Sequence, residues 1–448
     1  MRVMICGGTG FIGTALSQAL LDRGDEVIIV TRQLPAAPAA GFLYVTWEEW
    51  SANPDRWSGV DAIVSLSGET ISKRWSDEAK RRILVSRTQT ALHLADIVRR
   101  METPPKALVN ASGISLYGHS HSPILKKRKK KKRPASRVKA AADLLDQYRN
   151  EEAVTANVAG IRGFSAGEST GPDAPLPPRS SRSGQRQSFV QENEAAFIGI
   201  EEDSSDDVNE LLQQMRMAVR EGGESDRDDG FEQAAGSDPA YEATEDHDGD
   251  PDRPSDLGAR GADSQAAITS SLDYGWFDED SPASPEDFLG RVVVAWEEAI
   301  DQIPIERKVK LRISLVLGRE GGSFPLLRLP YRFFIGGRMG KGTQGFPWIH
   351  LQDMIGLLLF SLDHPHVSGP LNAVAPDPVN NDQFGRTLGR VMRRGHWLHV
   401  PERLLRRVLG EQSVLLLTGQ HAYPRRALEN GYTFAFSRLE DALRDLTK

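Results

Sequence analysis

One stretch near the start constrains the chain most. Arg2-Val-Met-Ile-Cys6 is a short apolar run that reads as a buried strand. Gly7-Gly-Thr9-Gly10-Phe11-Ile12-Gly13 follows at once. A helical apolar pattern then runs through Leu16, Leu20 and Leu21 and ends near Gly24, and Val27-Ile-Ile-Val30 reads as the next buried strand. A glycine-rich turn between a strand and a helix is the context that a phosphate loop needs. Gly7 permits the tight turn, Gly10 lets the backbone approach a pyrophosphate, and Gly13 lets the helix pack on the strand. The helix start offers N–H groups and a positive dipole end to the phosphates. Gly7, Thr9, Gly10, Phe11, Ile12 and Gly13 are therefore dinucleotide-binding candidates. The spacing is Gly-x-x-Gly-x-x-Gly, not Gly-x-Gly-x-x-Gly.

The tip of the second strand selects the dinucleotide. An acid there would hold a ribose 2′-hydroxyl, whereas Arg accommodates a 2′-phosphate. The chain reads Val30-Thr31-Arg32, without an acid, so NADP is expected over NAD and Arg32 joins the candidates. Asp61-Ala-Ile-Val-Ser-Leu66-Ser67 is a further strand ending in Gly68-Glu69. Its end should flank the cofactor, which adds Leu66, Ser67 and Gly68. Glu69 is either a ribose or substrate ligand or an ordinary loop carboxylate. A long helix over about 76–100 carries Ser86-Arg87, and the Arg87 fork suits phosphate oxygens.

Composition locates a break. Residues 119–270 hold 20 basic and 29 acidic side chains, and all eight Trp lie outside them. Residues 126–133 are eight consecutive bases, and 201–250 holds 18 acids against 3 bases. Dense charge with few apolar residues cannot offset chain entropy, so 119–270 is expected to be a disordered insertion. Three readings of it stay open: a tolerated surface insertion, an unremoved intervening sequence, or an interaction segment through which a protein partner binds. Val208, Leu211, Leu212, Met215 and Val219 have the spacing of a partner-binding helix. The basic run also admits a polyanion-binding reading.

Several classes drop out. Cys6 is the one cysteine, so no internal disulfide or cysteine-based zinc site is expected. A buried, inert thiol in a reducing, cytoplasmic setting fits it. No stretch reaches 18 consecutive apolar residues, and no signal peptide precedes the first strand, so no membrane partner is expected. Outside 119–270 the charge is near neutral, which argues against nucleic acid as a partner. No metal site is expected.

Ala107-Leu-Val-Asn-Ala-Ser112 leads into Gly113-Ile-Ser115-Leu-Tyr117-Gly118. With the glycines at 7–13, Ser67-Gly-Glu69, Arg74-Trp75 and Ser86-Arg87, this Ser-x-x-x-x-Tyr-Gly resembles the atypical, epimerase-like branch of the extended short-chain dehydrogenases/reductases. The likeness covers 1–118 and 271–448. It implies an α/β fold, a doubly wound Rossmann-type parallel sheet with a small C-terminal α/β substrate domain. It divides the chain into 1–118 with 271–399 as the NAD(P)-binding domain, the insertion at 119–270, and the small domain at 400–448. A monomer or homodimer and a small-molecule substrate go with it.

The family's acid/base helix should fall at 287–298. Aligned on Glu297, the positions of its Tyr and Lys are Leu289 and Val293, and that of its Ser/Thr is Gly113. None of these transfers a proton. The proton-handling candidates left are Ser112, Ser115, Tyr117, Glu69 and His350. By family position Arg312 and Val316 would face the cofactor or substrate cleft, and Val316 is taken as cofactor-binding. Phe346-Pro-Trp348-Ile-His350-Leu-Gln-Asp353 resembles the family's Phe-Pro-Trp-Ile-His-x-x-Asp, where His is either an acid/base or a structural residue. Arg425 and Arg426 read as solvated charge or as contacts to an anionic substrate. The resemblance thus implies hydride transfer on a nucleotide-sugar-like or other small polar substrate. A non-catalytic NADPH sensor is the alternative.

Overall fold

The computed structural model describes residues 1–72, 74–120 and 276–448. The insertion expected at 119–270 lies outside these residues except for His119 and Ser120. The basic run at 126–133 and the helical spacing at 208–219 also lie outside them.

Strands β1 (Arg2–Cys6), β2 (Glu26–Thr31) and β3 (Phe42–Thr46) run along one side of a parallel sheet. Helix α1 (Phe11–Arg23) links the first two, and α2 (Trp47–Ala52) follows the third. Strand β4 (Ala62–Ser65), helix α3 (Asp77–Arg100) and strand β5 (Ala107–Gly113) come next. Helix α4 (Phe288–Asp301) and strand β6 (Arg307–Ile313) continue the pattern. The rest comprises β7 (Leu315–Leu317), α5 (Phe324–Arg332), β8 (Gly337–Met339), β9 (Trp348–His350), α6 (Leu351–Asp363) and β10 (Gly369–Ala373). It ends with α7 (Asn381–Met392), β11 (Leu398–Val400), α8 (Glu402–Leu409), α9 (Val414–Leu417), α10 (Arg425–Glu429) and α11 (Leu439–Leu446).

The main sheet has seven strands in the order β10-β6-β5-β4-β1-β2-β3, and every pairing is parallel. Strand order reverses between β1 and β4, so the crevice at their C-terminal ends is the switch point where ligands bind. Alternation along each strand builds two cores. Val3 and Ile5, with Val27, Ile29 and Val64, pack on Leu16 and Leu20 of α1 and on Leu357 and Leu358 of α6. Met4 and Cys6, with Ile28 and Ile63, pack on Leu94 and Val98 of α3 and on Trp296 and Ile300 of α4. Helices on both faces make the sheet doubly wound, as the strand–helix pattern implies. Cys6 is fully buried, and burial pushes its thiol pKa up.

The end of the segment expected as a small domain at 400–448 packs on the residues before it. Leu439, Leu443 and Leu446 of α11 close a core with Leu317, Phe324, Trp348, Phe384 and Leu388. The four apolar residues of this eight-residue helix cannot bury themselves, so α11 borrows its core from 315–392. No helix among the described residues is long and apolar enough to cross a membrane.

Candidate functional site

The glycine loop takes the conformation its sequence calls for. Gly7 has φ of 82°, which favours glycine, and the Gly10 amide donates to the Gly7 carbonyl at 3.1 Å. A Cβ on Gly13 would overlap the Gly7 carbonyl oxygen and lie 2.8 Å from Gly8 Cα. The start of α1 is capped by no side chain and has no acid in its first turn. Its positive end is therefore left to an anion.

The β4 loop closes the other side of the switch point. The Leu66 amide donates to the Cys6 carbonyl at 2.8 Å, and a Cβ on Gly7 would sit 3.0 Å from the Leu66 carbonyl carbon. Helix α3 reaches back to this loop. The Glu69 amide donates to Ser86 Oγ at 2.9 Å, and Arg87 donates from Nη1 to the carbonyls of Glu69 and Ile83, each at 3.0 Å. The Arg87 guanidinium lies against Gly68 and 5.3 Å from the Trp296 ring centroid. Burial lowers its pKa to about 10, against the opposing pull of the Glu69 charge, so it stays cationic at neutral pH. Arg32 is exposed directly after β2, and Thr9 is exposed on the loop.

Phe11 has a further task. Its ring lies where Cβ atoms on Gly318, Gly321 and Gly322 would be, so the glycine-rich loop after β7 folds over the start of α1. Ile12 and Leu66 pack partly buried on the core, and Val316 is buried in it. Sequence periodicity carries no sign of this Phe11 contact, which spans three hundred residues.

The proton-handling candidates separate. Tyr117 is buried, with its ring stacked on Phe277. Its hydroxyl donates to Asn372 Oδ1 at 2.7 Å and accepts from Arg312 Nη1 at 2.8 Å. Burial raises its pKa despite the Arg312 charge. Ser112 Oγ donates to Glu297 Oε1 at 2.6 Å. Arg312 forms a fork with the same carboxylate, Nε to Oε1 at 2.9 Å and Nη2 to Oε2 at 3.0 Å. Burial works against both charges, yet this pairing lowers the Glu297 pKa and raises that of Arg312. Arg312 therefore ties α4 to the sheet.

His350 caps α6. Its Nδ1 accepts from the Gln352 amide at 3.1 Å, and its Nε2 lies 3.5 Å from Asp445 Oδ2. Burial lowers its pKa, outweighing Asp445 and Asp353. It lines a cavity of about 570 Å³ with Ala15, Ile355, Leu359, Tyr432 and Leu446. Neither residues 7–13 and 66–69 nor Ser112, Ser115 and Tyr117 line that cavity, so it does not gather His350 with those three. Ser115 is the candidate whose hydroxyl makes no hydrogen bond among the described residues. It stands 3.6 Å from where a Cβ on Gly113 would be, and the Val293 methyl stands 3.1 Å from that same point. One turn before Val293 on α4, Leu289 packs with Trp75 and Phe288. The three positions that the resemblance assigns to proton transfer are thus apolar. Among the described residues no His, Cys, Asp and Glu converge to hold a metal.

Glu279 was not singled out from sequence. Its Oε1 accepts from the Asn372 amide at 2.9 Å and its Oε2 from the Arg426 amide at 3.3 Å. Burial, outweighing these bonds, raises its pKa from 4.5 to about 7. Stability tied to its neutral form is fully present below about pH 4.5 and is lost as pH rises through about 7. Relative to Glu279→Gln, the native protein should lose about 3 kcal/mol between pH 4.5 and 8, measured by urea melts. A constant difference across that range would contradict it. Arg425 pairs with Asp278 and Asp280, and Arg426 with Asp280.

Both flanks of 121–275 meet one short stretch. The Ser120 amide donates to the Gly419 carbonyl at 2.9 Å, and Gln420 Nε2 donates to the Gly118 carbonyl at 2.7 Å. The Phe277 amide donates to the His421 carbonyl at 2.7 Å. Residues 419–423 thus hold the chain where it leaves and where it returns.

Comparison with known proteins agrees with this fold. Residues 3–172 match the NAD dependent epimerase/dehydratase family, and residues 400–446 match a domain of unknown function, DUF1731. The first part of the chain is thus similar to the epimerase family and its C-terminal end to DUF1731. It is 25% identical to the Bacillus subtilis epimerase family protein YfhF over 449 residues, spanning 100% of this chain and 98% of that one. It is 27% identical to the human epimerase family protein SDR39U1 over 455 residues, spanning 100% and 99%. The crystal structure of human SDR39U1 (isoform 2) with NADPH superposes with a TM-score of 0.60 at 26% identity, covering 100% of this chain and 99% of that one.

Proposed function

We propose that the protein binds NADP(H) and serves as an atypical reductase of a small polar substrate. The observation that carries the cofactor half is the uncapped start of α1 behind the Gly7–Gly13 loop, with Arg87 against Gly68 of the β4 loop and Arg32 where an acid would select NAD. The NADPH held by the human relative supports the same reading. Bound nicotinamide would supply hydride. The backbone of 7–13 would hold the pyrophosphate, Arg87 would add a donor fork, and Arg32 would face the 2′-phosphate. Ser115 offers the substrate a hydroxyl that no other residue occupies, and Gly113, Leu289 and Val293 keep water from that wall.

Arg32→Glu tests the 2′-phosphate assignment. The variant should lose at least about tenfold in NADPH affinity and hold NADH no worse than before, read by calorimetric titration. Equal loss for both dinucleotides would remove Arg32 from the site.

A second reading has its own observation. The apolar wall at Gly113, Leu289 and Val293 suits a protein that binds NADPH without turning it over. NADPH oxidation across a panel of nucleoside-diphosphate sugars and small carbonyls separates the two. Oxidation that falls in Ser115→Ala favours the reductase. Tight binding with no oxidation by any member of the panel favours the sensor.

A further inference from the structure

Two helix ends in the C-terminal part break the same local rule. Helix α5 closes with the Phe334 amide on the Tyr331 carbonyl at 3.0 Å and the Ile335 amide on the Pro330 carbonyl at 2.9 Å. Helix α7 closes with the Arg393 amide on the Arg390 carbonyl at 3.1 Å and the Arg394 amide on the Gly389 carbonyl at 2.8 Å. Both are Schellman closures, whose left-handed residue is usually glycine. Here those residues are Phe334, with φ of 60°, and Arg393, with φ of 54°. They are the only non-glycine residues with positive φ among those described. Strain of this kind persists where a side chain is wanted for something other than the fold.

The two ends meet. The Arg394 guanidinium lies 4.3 Å from the Phe334 ring centroid, and the Trp397 amide donates to the Gly336 carbonyl at 3.1 Å. His396 fixes the second loop from behind, between the Tyr331 hydroxyl at 2.8 Å and Asp382 Oδ1 at 3.1 Å. On this rigid base Phe333, Phe334 and Trp397 stand 44%, 59% and 68% exposed. Arg332, Arg393 and Arg394 are exposed around them, and none pairs with a carboxylate among the described residues. The surrounding chain is free of acid: none occurs between Glu320 and Asp353, and none between Asp382 and Glu402.

We propose that this double loop is a peripheral docking surface for an anionic lipid bilayer. Protruding aromatic rings ringed by unpaired arginines match the interface, where rings sit at headgroup level and cations meet lipid phosphates. A single-stranded nucleic acid fits less well, because the Phe334 face that a base would stack on is taken by Arg394. The surface departs from the expectation of no membrane partner. That expectation rested on the absence of a spanning stretch, which a peripheral surface does not need.

The test is flotation of the full chain with vesicles of phosphatidylcholine containing about 30% phosphatidylglycerol, against pure phosphatidylcholine. Binding should be at least about tenfold stronger to the anionic vesicles and should weaken with salt. Phe334→Gly and Trp397→Ser should each weaken it by about tenfold, and Arg393→Gly by about fivefold. Phe334→Gly and Arg393→Gly place glycine where the backbone favours it, so each should leave the melting temperature unchanged or raise it by about 2–4 °C. Weak binding in a variant that is no less stable is what a structural role does not produce. No binding to anionic vesicles overturns the proposal. Binding that survives all three substitutions also overturns it and moves the contact elsewhere, such as the basic run at 126–133. Binding of a labelled single-stranded oligonucleotide that these substitutions abolish, with vesicle binding intact, overturns it in favour of nucleic acid.

Discussion

Arg312→Met should cost the fold about 3–5 kcal/mol, because it strands the Glu297 carboxylate in the interior. Arg312 supplies two of the three bonds that Glu297 accepts, and Ser112 supplies the third. Lys310 Nζ stands 4.0 Å from Glu297 Oε2 and is already committed to Asp301 at 2.6 Å, so it cannot take the place of the fork. The same substitution unties Tyr117, whose hydroxyl would keep only Asn372. Replacing both charges, Arg312→Met with Glu297→Leu, should recover most of the loss, since two apolar side chains leave no ion without water. Urea melts of the two single variants and the double variant read this directly. A cost below about 1 kcal/mol for Arg312→Met would mean that water reaches Glu297 and that the pair is not structural.

That network also shows where the sequence stops being legible. The β1–α1–β2 unit could be read because every contact that defines it lies within thirty residues. Its glycines, strand runs and helix period all point the same way. The same holds for α3, expected at 76–100 and found at Asp77–Arg100. Arg312 and Glu297 are fifteen residues apart, but what joins them is the packing of α4 across β5 and β6, which no local period encodes. Tyr117 was assigned to proton handling because of its place after β5. Its partners, Arg312 and Asn372, come from β6 and β10. Phe11 carries the same lesson. Its place at the helix start could be read, whereas the glycine loop at 318–322 that covers it could be read only as a glycine loop. Glu279 left no signal at all, since a carboxylate between two acids looks solvated until the amides of Asn372 and Arg426 are placed against it.

Gly13→Ala should abolish NADPH binding. The added methyl would overlap the Gly7 carbonyl oxygen and crowd Gly8, and both neighbours are backbone, so no side chain can swing aside. The loop must move off α1, and its amides then no longer converge with the helix start on one pyrophosphate. At about 100 times the dissociation constant, NADPH should stabilise the native protein by roughly 2.7 kcal/mol. The variant should show no such shift, which corresponds to affinity at least about 100-fold weaker. Thermal melts without ligand establish whether the variant folds. Arg87→Met keeps the result decisive if it does not. Methionine preserves bulk beside Gly68 and Trp296 but removes the fork, so NADPH should bind about tenfold more weakly to a folded protein. An unchanged NADPH shift in a folded Gly13→Ala variant would mean that the dinucleotide, if bound, lies elsewhere than on this loop. The assignments of Arg32, Arg87 and Ser115 would then fall together, because each depends on the pyrophosphate resting at the start of α1.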